Sequence, residues 1–349
     1  MNGIPWEHHL GRKVIGMRIG FVGAGKVGFT LGKYMSERNV CVSGYYSRSE
    51  ESARQASLFT HTKYYETLEE LIESSDALFL TVPDGAIEGV WNSILYRAKL
   101  DEARPCAASD IWGARMGIPY RAKLDEARPC AASDIWGARM GIKRYSLAGK
   151  FICHCSGVMT SAVFSEIDQM GAFGYSIHPL FAIHSKSQSY REISQAYFTI
   201  EGPEAYLDFW KDFFEKLGNP VRVIQAEQKV LYHGAAVFAS NLVTGLFEAG
   251  VDLLMDCGFD RESGEAALKP LFLHNCQSVA HVGTTAALTG PVERADEKTI
   301  QKHLNVLPPE EREIYIRLSE ILVNIAKRKH PERDYHSLSQ IFERNGEVK

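Results

Sequence analysis

The sequence predicts an α/β protein, with a doubly wound parallel sheet followed by an all-helical C-terminal domain. Short β-rich runs alternate with helical patterns from Met17 to about Ile224, and such alternation is typical of parallel sheets with helices on both faces. A glycine-rich segment stands between the first strand and the first helix. After Ile224 the pattern is helical throughout. We therefore expect one domain over 17–224 and a second over 225–349.

The individual elements follow from local patterns. Apolar runs of strand length predict strands at Arg18–Val22, Val40–Tyr46, Ala77–Val82, Phe151–Cys155, Ala172–Ile177, Ala196–Glu201 and Val221–Ile224. Helical spacing predicts helices at Val27–Ser36, Glu50–Ser57, Thr67–Ser74, Ala86–Leu95, Ser161–Met170 and Glu204–Leu217 in the first domain. In the second domain it predicts helices at Gln228–Asp256, Glu262–His281, Glu310–Lys327 and Tyr335–Arg344.

Composition excludes several classes of function. The 349 residues carry 39 Lys and Arg against 43 Asp and Glu, a net charge of −4, so nothing in the balance favours nucleic acid. Seven Cys without paired metal-ligand spacing predict neither a disulfide scaffold nor a metal site, and we expect a reducing, cytoplasmic setting. The longest apolar stretch, Ala235–Met255, contains polar and charged residues, which favours a buried or amphipathic helix over a membrane span. Residues 1–16 are expected to be a disordered leader.

An exact duplication interrupts the alternating pattern. The segment Tyr96–Ile118 recurs identically at Tyr120–Ile142. Repeat folds need at least three copies, so the pair predicts a surface insertion over 96–142 that arose by recent duplication. The alternative is a functional lid that carries Trp112 and Trp136. Two identical segments cannot fill one structural niche, so at most one copy would contact a site.

The strongest chemical signal is the run Gly23, Ala24, Gly25, Lys26, Val27 and Gly28. This G-x-G-x-x-G follows a predicted strand and opens a predicted helix, as in dinucleotide-binding proteins. Glycines there allow the tight turn, the approach of a pyrophosphate and close helix–strand packing, while the helix N-terminus offers free N–H groups to phosphates. The alternative is a glycine-rich turn without a ligand.

The end of the second strand predicts which dinucleotide binds. NAD sites usually place Asp or Glu there to bind the ribose 2′-hydroxyl, whereas this sequence has Ser47, Arg48 and Ser49. A guanidinium and two hydroxyls suit a 2′-phosphate, so the prediction is NADP(H). Ser47 or Ser49 could instead cap the next helix, with Arg48 in solvent. Both interpretations can hold together.

Two further strand ends are candidates for the nicotinamide side of the site. Val82 and Pro83 end one strand, and Ser156 follows another. Ligands of doubly wound sheets bind beyond the carboxyl ends of strands. The alternative at each position is ordinary turn chemistry.

Six segments occur in an order that resembles a known family: GFVGAGKVG, TVPDGAI, HCSG, SIHPL, KVLYHGAAVFASNLV and TGPVERAD. Together they resemble Rossmann-like proteins that carry the C-terminal domain of unknown function 2520 (DUF2520). That family is similar to pyrroline-5-carboxylate reductase, the 6-phosphogluconate and β-hydroxyacid dehydrogenases, and prephenate dehydrogenase. The resemblance implies an NADP-binding Rossmann domain and a helical domain that forms a homodimer. It implies no particular substrate.

The resemblance also directs attention to the first long helix of the second domain. In the related dehydrogenases this helix carries a Lys that acts as acid or base, with Asn or His nearby. Lys229 and His233 stand at i, i+4 here, and Ser240 projects onto the same stripe. Such a stripe could position and protonate a carbonyl or an imine. The alternative is a solvated lysine and a core histidine.

Other candidates lie further along the chain. His178, directly after the strand Ala172–Ile177, resembles the His-Pro of prephenate dehydrogenases and titrates near neutrality; it could equally be a turn residue. Arg294 could bind a substrate carboxylate, or Arg294 and Asp296 could cap and pair at a helix start.

These observations predict an NADP(H)-dependent oxidoreductase that acts on a small carbonyl, hydroxyl or imine, with Lys229, His233 or His178 handling the proton. The alternative is a non-catalytic NADP-binding redox sensor or scaffold.

Overall fold

The computed structural model describes residues 16–99 and 145–346. The chain divides into two compact units, Met1–Ala236 and Val237–Lys349, which are treated separately below. Nearly all of the predicted leader and of the predicted insertion over 96–142 lies outside the described residues. The predicted domain boundary precedes the helix Lys229–Phe238, whereas the division between the units falls inside it.

Among the described residues, the first unit contains one eight-stranded sheet. Its strands are β1 Arg18–Val22, β2 Cys41–Tyr46, β3 Lys63–Tyr64, β4 Ala77–Leu80, β5 Phe151–His154, β6 Phe173–Leu180, β7 Tyr197–Glu201 and β8 Val221–Val223. Their order across the sheet is β3-β2-β1-β4-β5-β6-β7-β8. The order reverses direction between β1 and β4, and this is the switch point at which doubly wound sheets bind ligands.

The strands are parallel from β3 to β6, which confirms the predicted class. The exception is the antiparallel pair of β6 and β7. Parallel neighbours need a crossover, usually a helix, whereas the segment between these two strands forms only the short 3₁₀ turns Ser189–Arg191 and Ile193–Gln195. The two-residue β3 was not predicted because its pattern is too short to recognise.

Helices cover both faces of the sheet. They are α1 Lys26–Ser36, α2 Glu50–Thr60, α3 Leu68–Glu73, α4 Asp84–Lys99 and α5 Leu207–Lys216. The predicted helix Ser161–Met170 is wrong. That segment forms two 3₁₀ turns, and Glu166 between them adopts a left-handed conformation (φ 58°) that ends helical propagation.

Alternate residues of the strands enter two separate cores. Phe21 and Phe79 belong to one core, which includes Trp210 of α5. Their neighbours Val22 and Leu80 belong to the other, which includes Trp91 of α4. Burial on both faces explains why these strands read as continuous apolar runs.

A last helix of the first unit, α6 Lys229–Phe238, runs into the second unit. The second unit continues with α7 Asn241–Asp256, α8 Arg261–Ala287, α9 Glu297–Val306, α10 Pro309–Lys329 and α11 His336–Gly346, so the all-helical prediction is confirmed. A single helix over Gln228–Asp256 was wrong, because the backbone at Ser240 (φ −130°, ψ −83°) separates α6 from α7. Helix α9 was not predicted.

Part of the helical region exposes large apolar side chains. Leu242 and Leu246 of α7, and Leu271 and Val282 of α8, are all exposed. By length and composition, Ala226–Asp256 is apolar enough to cross a membrane, and it is the one such segment in the described ranges. None of its most apolar window is buried within the chain. Of the two predicted alternatives, a buried or an amphipathic helix, the buried one is therefore not met within one chain, and the amphipathic one stays a prediction.

Candidate functional site

The glycine-rich turn is pressed against the end of β4. Gly23 follows β1 with φ +106°, and its N–H donates to the carbonyl oxygen of Tyr46 at 2.8 Å. The Thr81 hydroxyl donates to the carbonyl oxygen of Gly23 at 2.9 Å. A Cβ on Gly23 would lie 2.8 Å from the Thr81 carbonyl oxygen. The turn therefore requires glycine here for conformation and for space.

The other two glycines differ in what surrounds them. A Cβ on Gly28 would lie 2.6 Å from both the Gly23 carbonyl oxygen and the Thr81 hydroxyl, so packing within the protein explains this glycine. A Cβ on Gly25 would meet nothing closer than the Thr81 carbonyl oxygen at 3.8 Å. Gly25 is exposed, and the space above it remains open to a ligand.

The rest of the motif forms the start of α1. Gly25 is the N-cap and supplies no side-chain cap, which leaves the first N–H groups of the helix for an anion. Ala24 is buried and Val27 packs against the core, whereas Lys26 is exposed. The motif thus combines packing residues with one open, positively polarised helix end.

The turn after β2 contains the predicted helix cap and one cationic side chain that pairs with no described residue. The Ser49 hydroxyl accepts from the N–H of Ser52, and the Ser47 hydroxyl accepts from the N–H of Ser49, both at 3.3 Å. The capping interpretation therefore holds. Arg48 is exposed and has no hydrogen bond or ion pair within the part of the chain that the structure describes, so its guanidinium remains available for an anion.

The ends of β4 and β5 are joined by a side-chain pair that the sequence did not reveal. The Ser156 hydroxyl donates to Oδ2 of Asp84 at 2.7 Å and accepts from the N–H of Met159 at 3.1 Å. Ser156 is buried, and Asp84 is the exposed first residue of α4. Turn chemistry at Ser156 is therefore present. Val82 and Pro83 lie at the carboxyl end of β4, where they were expected.

Lys229 is buried at the start of α6. Its ammonium donates to the carbonyl oxygen of Ser156 at 2.9 Å and to the hydroxyl of Ser176 at 2.6 Å. Only 1% of the residue is exposed. Burial lowers the pKa of Lys229 to about 8, against the opposing attraction of Glu201. The solvated-lysine alternative is wrong, because this side chain ties α6 to the ends of β5 and β6.

His178 lies inside β6 rather than after it, so the turn alternative is wrong. Nδ1 of His178 is 2.8 Å from the hydroxyl of Tyr232 on α6. Burial lowers the pKa of His178 to about 3, and the neighbouring basic side chains of Lys229 and His233 lower it further. The imidazole is therefore neutral at physiological pH.

His233 lies close to His178 across Gly157. A Cβ on Gly157 would lie 2.5 Å from Cδ2 of His233 and 3.1 Å from Nε2 of His178. The structure thus gathers His178, His233 and Lys229 around the turn after β5. Their catalytic roles stay predictions. Tyr232 and Asp84 were missed because nothing local in the sequence marks their partners.

One more buried histidine shapes this turn. Nδ1 of His154 accepts from the N–H of Ser156 at 3.2 Å, and Nε2 is 3.1 Å from the carbonyl oxygen of Thr160. Because Nδ1 accepts, Nε2 carries the proton. Burial lowers the pKa of His154 to about 4. His154 thus holds the turn as a neutral ring.

The remaining candidates lie in the second unit. The break before α7 removes Ser240 from the predicted stripe. The Asp296 carboxylate caps α9 by accepting from the N–H of Thr299 at 3.1 Å, so the capping alternative holds for Asp296. Arg294 is exposed. Among the described residues, no group of three or more His, Cys, Asp or Glu could hold a metal ion.

Comparison with known families finds one match in each part of the chain. Residues 18–103 match the family described as NADP oxidoreductase, coenzyme F420-dependent. Residues 196–321 match the domain of unknown function DUF2520. The chain is thus similar to an NADP oxidoreductase family in its N-terminal part and to DUF2520 in its C-terminal part. These matches confirm the resemblance predicted from the ordered motifs, and the first supports NADP as the cofactor.

Solved structures share the fold. A protein from Thermotoga maritima is 22% identical, with a TM-score of 0.58 over 89% of this chain and 99% of that one. A candidate NADP oxidoreductase from Bacteroides fragilis is 20% identical, with a TM-score of 0.57 over 89% and 99%. An imine reductase from Myxococcus stipitatus in complex with NADP⁺ is 13% identical, with a TM-score of 0.51 over 93% and 99%. No curated protein matches the chain.

Proposed function

We propose that this protein is an NADP(H)-dependent oxidoreductase that transfers hydride to or from a small carbonyl, hydroxyl or imine compound. One observation carries the proposal. The open N-terminus of α1 follows a glycine turn packed against β4 at the switch point, in a segment that matches an NADP oxidoreductase family. Anions bind such helix ends through free N–H groups and the helix dipole.

The residues present fit the proposed cofactor. The backbone around Gly25 can receive the pyrophosphate, because nothing in the protein fills that space. Arg48 can bind the 2′-phosphate through charge-assisted hydrogen bonds. In this proposal the nicotinamide end of the cofactor lies beyond β4, next to Val82 and Pro83. When bound, NADP(H) supplies or accepts a hydride at the nicotinamide ring.

The polar groups beyond β5 and β6 support a role in proton handling. Hydride addition to a carbonyl or an imine leaves a basic oxygen or nitrogen, and a nearby donor must protonate it. His178 and His233 lie near each other on either side of Gly157. Lys229 stays mostly positive at pH 7 because its pKa is about 8, so it stabilises developing negative charge.

A deuteride-transfer screen tests this function. The purified full chain is incubated with NADPH deuterated at the nicotinamide C4 position and with small aldehydes, ketones and cyclic imines. Mass spectrometry then detects a product that is one deuterium heavier. The expected result is transfer to at least one member of the panel. NADPH binding without transfer to any member would favour the non-catalytic alternative.

We also propose that the chain works as a homodimer through its helical region. Leu246 of α7 and Leu271 of α8 are exposed at 48% and 68%, and exposed apolar patches of this kind mark association surfaces. Sedimentation velocity should give the mass of two chains, and Leu246→Glu with Leu271→Glu should give that of one. Binding of the native chain to lipid vesicles instead would contradict this part of the proposal.

A further inference from the structure

Tyr232 is the least expected residue of the site. It lies between Lys229 and His233 in sequence, and its hydroxyl contacts Nδ1 of His178 at 2.8 Å. The two rings meet edge to face, with centroids 5.7 Å apart. We infer that His178 donates the proton of the proposed reaction from Nε2, and that Tyr232 sets its tautomer and resupplies the proton at Nδ1. This inference rests on the proposed function.

The direction of the hydrogen bond follows from the state of the phenol. Burial raises the pKa of Tyr232, while the neighbouring Thr199 hydroxyl works in the opposite direction. The phenol therefore carries its proton at neutral pH and can donate it to Nδ1 of His178. A neutral imidazole whose Nδ1 accepts must carry its own proton on Nε2.

Nε2 of His178 is placed to act. Within the described ranges Nε2 has no hydrogen-bond partner, and solvent can reach it. The turn at Gly157 packs directly against this ring, since a Cβ there would lie 3.1 Å from Nε2 of His178 and 2.5 Å from Cδ2 of His233. A substrate oxygen or nitrogen that approaches Nε2 from solvent would meet an N–H donor.

The surroundings of His178 prevent it from acting as an imidazolium. Lys229 and His233 approach it from α6, and His154 approaches from β5, so protonation would add a positive charge beside three other basic groups. A ring that stays neutral can release a proton only if it gains another. Nδ1 faces the Tyr232 phenol, which can supply that proton. The proton must therefore pass from Tyr232 to His178 as His178 releases its own.

The proposed step balances in the direction of reduction. The substrate carbon gains a hydride, with its electron pair, and the C=O or C=N π bond breaks toward oxygen or nitrogen. That atom takes the proton from Nε2 of His178. The Tyr232 proton moves to Nδ1. After the product leaves, Nε2 takes a proton from water and Nδ1 returns its proton to the phenolate, which restores the Nε2–H form of His178. The Lys229 ammonium, 6.0 Å from the centre of the Tyr232 ring, stabilises the transient phenolate.

Lys229 does not fill the donor role itself. Two of its N–H groups are bound to Ser156 and Ser176, and the side chain is sealed from solvent. Its role is to stabilise the transient Tyr232 phenolate by its positive charge. This assignment separates Lys229 from His178 by what each side chain can reach.

The first test is made on the free protein and needs no substrate. In ¹⁵N-histidine-labelled protein, long-range ¹H–¹⁵N correlation spectra report which ring nitrogen carries the proton. His178 should be in the Nε2–H form from pH 8 down to pH 5. Tyr232→Phe should mix the two tautomers, and Tyr197→Phe, which changes an exposed tyrosine of β7, should leave His178 unchanged. An Nδ1–H form in the native protein would overturn the inference.

The second test uses any substrate that the deuteride screen identifies. Tyr232→Phe should lower kcat about 10²-fold, as expected for loss of a positioned proton supply, with KM and NADPH affinity unchanged. It should also change the pH profile of kcat. An unchanged kcat would overturn the relay. Failure of NADPH to bind the native chain would instead overturn the proposed function, while the tautomer measurement would still decide the role of Tyr232.

Discussion

The two ends of the candidate site are built in different ways. The glycine turn is one contiguous segment of backbone, fitted against Thr81 by shape. The cluster around His178 joins β5, β6 and α6 through side chains 53 and 54 residues apart in sequence. Backbone N–H groups do not titrate, whereas buried amines and imidazoles do. Cofactor binding at the turn should therefore tolerate changes of pH that alter the cluster.

The largest expected effect comes from the glycines of the turn. Gly28→Ala places a Cβ 2.6 Å from backbone, so it should lower the free energy of unfolding by about 2 kcal/mol and abolish NADPH binding. Gly25→Ala meets only an ordinary contact at 3.8 Å. It should leave the unfolding midpoint unchanged and still weaken NADPH binding at least about tenfold, or ~1.4 kcal/mol.

Chemical denaturation and calorimetric titration of both variants provide the check. Gly89→Ala is the matched control, because no atom lies within 4 Å of a Cβ there. If Gly25→Ala binds NADPH as the native protein does, the turn is not where the pyrophosphate binds.

The next largest expected effect is a loss of stability at acidic pH. His154 is neutral in the fold with its pKa lowered to about 4, whereas the unfolded chain binds a proton below about pH 6.5. The contribution of His154 to the free energy of unfolding is therefore fully present above pH 6.5 and is lost as the pH falls toward 4. Between pH 7 and 5, His154 should account for about 2 kcal/mol of lost unfolding free energy.

The pH dependence of urea denaturation measures this loss. His154→Gln should flatten the profile by about that amount, whereas His184→Gln, at an exposed position, should not. Parallel profiles for all three proteins would show that the His154 ring is not held neutral.

The smallest effect concerns base. Lys229 has its pKa lowered to about 8 in the fold, whereas its normal pKa is near 10.5. Between about pH 8 and pH 10.5 the unfolded chain therefore binds one proton more than the folded chain. Stability should rise with pH across this window. Between pH 7.5 and 9 the expected gain is about 1 kcal/mol. Lys229→Met should remove the gain, and Lys211→Met, at a partly exposed position of α5, should keep it. An identical rise in the Lys229 variant would contradict its burial as a cation.

The sequence predicts local chemistry well. The glycine motif, the Ser49 cap and most strands are set by residues within a few positions of one another, and the structure places them as expected. Contacts across the sheet were not predictable. Nothing near Tyr232 in sequence indicates that it meets His178, and nothing near Asp84 indicates that it meets Ser156.

Two errors of fold have physical causes of the same kind. The antiparallel β7 depends on how the segment after β6 returns to the sheet, and not on the pattern of β7 itself. The break at Ser240 falls within a long, mostly apolar run, where helical spacing continues across it. Periodicity reports which faces are apolar, but not where tertiary packing interrupts an element.

Calorimetric titration of NADPH and NADH into the full chain and Arg48→Ala tests the central claim most directly. NADPH should bind at least about tenfold more tightly than NADH, a difference of ~1.4 kcal/mol. Arg48→Ala should remove this preference by weakening NADPH alone, and Arg222→Ala, at an exposed position of β8, should not. If neither nucleotide binds, or if Arg48→Ala keeps the preference, the account of the cofactor site is wrong.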